Sequence, residues 1–186
     1  NPAYVNQQKI GLEKRFKLVA QKYHDFRSEA ILVQEDKPVF YVYEIQAKNQ
    51  TFTGIIAGTS ITDYQNNIIK KHEDTLQYRV ELFKDYLHQT GFNTEPVLMT
   101  YADNKNLNDW ISQKKLSPSL YEFSTTRKEK HVLWRIDSEA DIEWLQNQFE
   151  NIGDLYIADG HHRSASAQLL YEQDKASGNA HLDYFM

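Results

Sequence analysis

Apolar positions along the chain change period several times, and each change marks an element. Within residues 6–26, Leu12, Phe16, Val19, Tyr23 and Phe26 recur at 4-3-4-3 spacing, the stripe of one long helix whose other faces carry Lys and Gln. The stripe reads as core. Residues 38–46 alternate aromatic and aliphatic side chains in strand fashion, and residues 51–60 follow the polar tetrad Ala47-Lys48-Asn49-Gln50, so the two segments form a hairpin. Residues 63–71 are polar and irregular. Asp74 and Gln77 then read as a capping box ahead of Leu76, Val80, Phe83 and Leu87, a helix that Gly91 ends.

Farther on, residues 95–101 read as a short buried strand and Asn106 opens a small helix to Lys115. Strands flank Arg127-Lys128-Glu129 at residues 119–126 and 130–136, and that charged run reads as a solvated turn. Ser138, with Asp141, caps a helix carrying Ile142, Leu145 and Phe149. Strand 154–158, the loop Asp159-Gly160-His161-His162-Arg163 and a helix to about Glu172 form the last complete unit. Asp183-Tyr184-Phe185-Met186 reads as the beginning of a strand. With no Met at its start, the sequence is expected to be a piece of a longer protein extending at both ends. Strands alternating with helices, two adjacent pairs being hairpins, predict a single α+β domain with a mixed sheet rather than a doubly wound parallel one.

Composition narrows the function classes. The 186 residues are 40% apolar and 25% charged, enough for one domain with its own core. Twenty-one Lys and Arg against 26 Asp and Glu give a net charge of −5, with no basic block, so the footprint of a general nucleic-acid binder is missing. The sequence has no cysteine, which excludes thiolate metal sites and a cysteine nucleophile here and fits a reducing, cytoplasmic setting. Its longest apolar runs, such as residues 54–58, are strand-sized, so no membrane span is expected. Walker, GxGxxG, GxSxG, HExxH and EF-hand patterns are absent. Oligomeric state is left open.

Two segments carry candidate chemistry. A buried strand ending in Asp159 and Gly160, then His161, His162 and Arg163 opening a helix of small residues, makes an anion-friendly corner: the first-turn amides have no intrahelical acceptor, and the helix dipole is positive there. Arg163 offers a planar fork to phosphate or carboxylate, and Ser164 and Ser166 add hydroxyls. Asp159 can cap the helix, accept a proton or hold a metal. The second segment is Lys70-Lys71-His72-Glu73, at another helix start. Glu73 suits a general base or an Mg²⁺ ligand, and Lys71 and His72 suit a bound anion. His72, His161 and His162 could instead form a zinc site if the segments converge.

The phrase Tyr156-Ile157-Ala158-Asp159-Gly160-His161-His162-Arg163, with Lys71-His72-Glu73-Asp74-Thr75 upstream, resembles the family catalogued as domain of unknown function 1015. Residues 38–44, 54–56 and 95–101 agree with it as well. The Asp-Gly-His-His-Arg turn is also similar to the nucleotide-contacting turn of the ParB/sulfiredoxin superfamily. That superfamily includes free serine kinases, which move a phosphoryl group from ADP or ATP to serine. The resemblance implies a ParB/sulfiredoxin-like core, a nucleotide phosphate over Gly160–Arg163, and ATP or ADP with Mg²⁺. It further implies phosphoryl transfer to a small hydroxylated metabolite such as serine. Sulfiredoxins carry a cysteine in this turn and this chain has none, so their activity is excluded. ParB proteins bind DNA through a separate helix-turn-helix region, and no basic recognition helix occurs here. Two other readings stand beside the kinase: a non-catalytic nucleotide-responsive regulator of ParB type, and a His-based metal-dependent hydrolase. In the kinase reading, His161 and His162 stabilise charge or relay a proton, and Glu73 or Asp159 binds Mg²⁺ or acts as base.

Overall fold

The structure is a computed structural model and describes residues 11–175 and 180–186. Six helices and nine strands are present among the described residues. The chain begins with helix α1 (Leu12–Ser28), then the hairpin β1 (Phe40–Gln46) and β2 (Thr51–Ile56). Short β3 (Thr59–Ser60), α2 (Ile61–Gln65) and β4 (Ile69–Lys70) lead to helix α3 (Gln77–Thr90). Strand β5 (Leu98–Thr100), helix α4 (Lys105–Lys114), and strands β6 (Tyr121–Ser124) and β7 (Lys130–Ile136) come next. Helix α5 (Glu139–Ile152), strand β8 (Leu155–Asp159), helix α6 (His161–Asp174), a 3₁₀ turn (Ala180–Asp183) and β9 (Tyr184–Phe185) complete it. The architecture is α+β.

Strands β2-β1-β7-β6 form an antiparallel sheet, with Val42 opposite Ile55 on one side and Trp134 on the other. Its inner face, with α4 and α5, encloses Val42, Leu107, Val132, Trp134 and Leu145. Glu44, two residues beyond Val42 on β1, is buried as well. The Glu44 carboxylate is 3% exposed, and Lys115, Gln46 and Thr53 all bond to it, so the buried group is satisfied on every side. A second core, of Ile61, Tyr64, Ile69, Ile157 and Phe185, lies around the three-stranded sheet β4-β8-β5. Within that sheet β4 runs parallel to β8, whereas β5 runs antiparallel to it. The mixed sheet is thus this small one.

Several expectations are corrected. Residues 51–60 are not one strand: the chain breaks at Ala57-Gly58, and β3 leaves the hairpin to pair with β9. The irregular stretch after it contains α2, capped by Ser60, whose hydroxyl accepts the amides of Thr62 and Asp63. The α1 stripe has the expected period, yet no residue of α1 is buried. It packs on α3, with Phe16 edge-on to Tyr86 at 5.2 Å, and Tyr23 stacks on Phe92 in the following loop at 4.2 Å. Residues 6–10 of that expected helix lie outside the described residues. Asp74 does not cap α3. The N-cap is Leu76, which has no side chain able to accept an amide. Gly91 does end α3 in the left-handed region, at φ 75°. The α4 cap is Asn104 rather than Asn106, its side chain accepting the Leu107 amide at 3.0 Å. Ser138 caps α5 as expected.

Candidate functional site

The two candidate segments meet because of the small sheet. β4 pairs with β8 in parallel, Ile69 beside Leu155 and Lys70 beside Tyr156, so the loops that follow both strands leave from the same end. In open α/β layers that carboxyl end is where crevices form. Residues 71–76 therefore run beside the turn 159–163.

Gly160 makes the turn possible. It is the N-cap of α6 at φ 110°, a conformation that L side chains rarely adopt. A Cβ there would stand 3.1 Å from Val97 Cγ2 and 3.2 Å from Nε and Nη2 of Arg163, so the guanidinium lies directly over the glycine. Asp159, expected as a cap, is instead the last residue of β8. Gly160 offers no side-chain cap, so the amides of His161, His162 and Arg163 precede the first intrahelical bond, Ser164 N–H to the Gly160 carbonyl at 3.0 Å.

The two histidines do different things. His161 is 4% exposed; its Nε2 accepts the His72 amide at 3.4 Å, and its Nδ1 stands 3.6 Å from Glu73 Oε2. Burial, then the neighbouring His72, lower its pKa and favour the neutral ring. His162 Nε2 accepts the Leu76 amide at 3.2 Å. Both rings thus tether the 72–76 segment to the start of α6.

Arg163 is engaged rather than open. Its guanidinium donates to Asp159 Oδ2 at 2.5 Å and to the Pro96 carbonyl at 2.6 Å, with Glu95 Oε2 at 3.6 Å. Residues 95–101 are expected as a buried strand, but the strand covers only Leu98–Thr100 and is largely exposed, and nothing local marks Glu95 or Pro96 as partners of the distant Arg163. Ser164 and Ser166 are fully buried, their hydroxyls donating to the carbonyls of Gly160 and His162. The Lys71 ammonium lies 3.8 Å over the Tyr64 ring, and burial lowers its pKa. The side chains of Ser164 and Lys71 are therefore committed to the fold rather than to the cavity.

A cavity of about 580 Å³ opens at this corner. One wall is apolar: Leu12 and Phe16 from α1, with Leu82, Phe83, Tyr86 and Leu87 from α3. The α1 stripe, expected as core, instead sends its first two members, Leu12 and Phe16, to this wall. The other wall is polar and holds Glu73, Glu95, Asp159 and Arg163 beside Gly160 and both histidines. Three carboxylates and one guanidinium thus line this wall. His72, Glu73 and His161 each offer a ligand atom, all within 4.8 Å of one another; they are the cluster of this kind among the described residues, and neither His162 nor Asp159 belongs to it. No helix of the described residues is long and apolar enough to cross a membrane.

Among curated proteins and solved structures, nothing matches this chain. A family model described as Protein of unknown function (DUF1015) matches it over residues 2–186.

Proposed function

The chain belongs to the DUF1015 family, and we propose that it binds ATP or ADP in the cavity beside α6 and transfers a phosphoryl group to a small hydroxylated metabolite such as serine. The reading is carried by one observation: two loops from neighbouring parallel strands bring Glu73, His161, His162 and Arg163 to one cavity at the amino end of α6. The similarity of the Asp-Gly-His-His-Arg turn to that of free serine kinases supports it.

The cavity is divided as such a ligand is divided. A flat base suits the wall of Phe16, Phe83 and Tyr86, and phosphates suit the amides of residues 161–163. The polar wall, however, carries three carboxylates against one guanidinium, so a phosphate alone meets repulsion there. Mg²⁺, which takes oxygen ligands and travels with nucleotide phosphates, would neutralise developing charge, and Asp159 is the acid placed to meet it while Glu73 serves as base. Arg163 would exchange a carboxylate partner for a phosphate oxygen. His161, buried with Nδ1 toward the Glu73 carboxylate, positions that acid. The acceptor hydroxyl loses its proton to Glu73 as its oxygen bonds to phosphorus, and the phosphorus–oxygen bond to the departing nucleotide breaks.

Thermal unfolding with ATP or ADP and Mg²⁺ tests the reading. A nucleotide at 100 times its dissociation constant adds about 2.7 kcal/mol of stability. The expected result is a clear upward shift that Arg163→Ala weakens while the fold is kept. No shift with either nucleotide, at millimolar concentration with Mg²⁺, removes the proposal.

A further inference from the structure

We infer that His72, Glu73 and His161 form a site for one zinc-class divalent cation, with a coordination position left open to the cavity. The site does not rest on the nucleotide reading: all three donors belong to the protein, and an ion held there would take up the Glu73 carboxylate that the kinase reading uses as base.

Donor chemistry points to this class of ion. Two imidazoles and one carboxylate suit zinc and its first-row neighbours, whereas Mg²⁺ prefers oxygen throughout. Spacing allows it. Donors about 2.0–2.1 Å from a tetrahedral ion lie about 3.3 Å apart, while neighbouring donors of an octahedral Mg²⁺ lie about 2.9 Å apart. Here His72 Nε2 is 3.8 Å from Glu73 Oε1, and His161 Nδ1 is 3.6 Å from Glu73 Oε2. Those contacts use the two different oxygens of one carboxylate, and the three donors lie within 4.8 Å of one another, so closing on a tetrahedral ion takes movement of up to about 1.5 Å at the widest pair, which the exposed His72 and Glu73 side chains can supply.

Competing cations are held elsewhere. Lys70 pairs with Asp154, Lys71 sits over Tyr64, and Arg163 is taken by Asp159. Among the described residues, the groups in ion-pair range of the Glu73 carboxylate are the two imidazoles. His161 supplies a buried anchor, while His72 and Glu73 are more than half exposed and can adjust. Three protein ligands leave a fourth position, and Glu73 and His161 both line the cavity, so that position faces it. Capture through Nδ1 moves the His161 ring proton to Nε2, so the 3.4 Å contact with the His72 amide is exchanged for a metal bond.

The test uses the protein without a polyhistidine tag and the metal alone, with no nucleotide. Equilibrium dialysis against Zn²⁺ should give one bound ion per chain, and Co²⁺ should give the intense visible absorption of a tetrahedral site. His72→Ala and Glu73→Gln, both at exposed positions, should each weaken Zn²⁺ binding by about tenfold or more while leaving the melting temperature of the metal-free protein unchanged. Absence of stoichiometric binding, a weak octahedral Co²⁺ spectrum, or affinity unaltered in both variants overturns the site. Zn²⁺ binding without any nucleotide shift would uphold this site and remove the kinase reading; the opposite pair of results would do the reverse.

Discussion

Nε2 of His162 accepts the backbone amide of Leu76 at 3.2 Å, so a side chain at the start of one helix holds the N-cap of another. Leu76 cannot cap α3 with its own side chain, and His162 fixes the backbone in its place. His162→Ala should lower stability by about 1 kcal/mol, the ordinary contribution of one hydrogen bond. Amide hydrogen exchange should quicken at Leu76 and through the first turn of α3. Unchanged exchange there would show that the tether does not order the segment.

Gly160 bears two constraints at once, a φ of 110° and the guanidinium above it. Gly160→Ala should cost about 1–3 kcal/mol in chemical denaturation. The added methyl also presses on Val97 and Arg163, so the Arg163–Asp159 pair should loosen. A variant as stable as the parent would mean that the turn adopts another conformation.

Glu44 gives the fold an acid-sensitive element. Burial pushes its carboxyl up, but hydrogen bonds from Gln46, Lys115 and Thr53, with the Lys115 charge, outweigh it and hold the carboxyl below the usual range. A lowered folded value stabilises the protein above the unfolded value, about 4.3, and the contribution disappears as pH falls through the folded value. Glu44→Gln should therefore cost about 1–3 kcal/mol at pH 7. The gap between parent and variant should close in acid below pH about 4. A pH-independent gap would show that packing, not charge, is responsible.

What the sequence made legible was local. Ser138 and Gly91 act through their own side chain or lack of one, and both helix ends fall where expected. The start of α3 could not be read that way, because its support comes from His162, 86 residues along the chain. The α1 period was legible, but a period does not say what the stripe faces. The strand–turn–helix unit at Asp159–Arg163 stood out as a unit. Its partners Glu95 and Pro96 did not, because they read as the start of a strand, and nothing in that pattern points to Arg163. Pairing of β4 with β8 decides which acids and histidines converge: Glu73 and His72 join His161, while Asp159 turns to Arg163.

The placement of the three tryptophans bears on how any binding would be followed. Trp110 and Trp144 stack at 5.3 Å and Trp134 lies beside them in the core of the four-stranded sheet, while the cavity wall has none. Indole emission is therefore a gauge of one half of the molecule. A ligand entering beside Gly160 could leave that signal flat, so an optical titration calls for a reporter placed on α1 or α3.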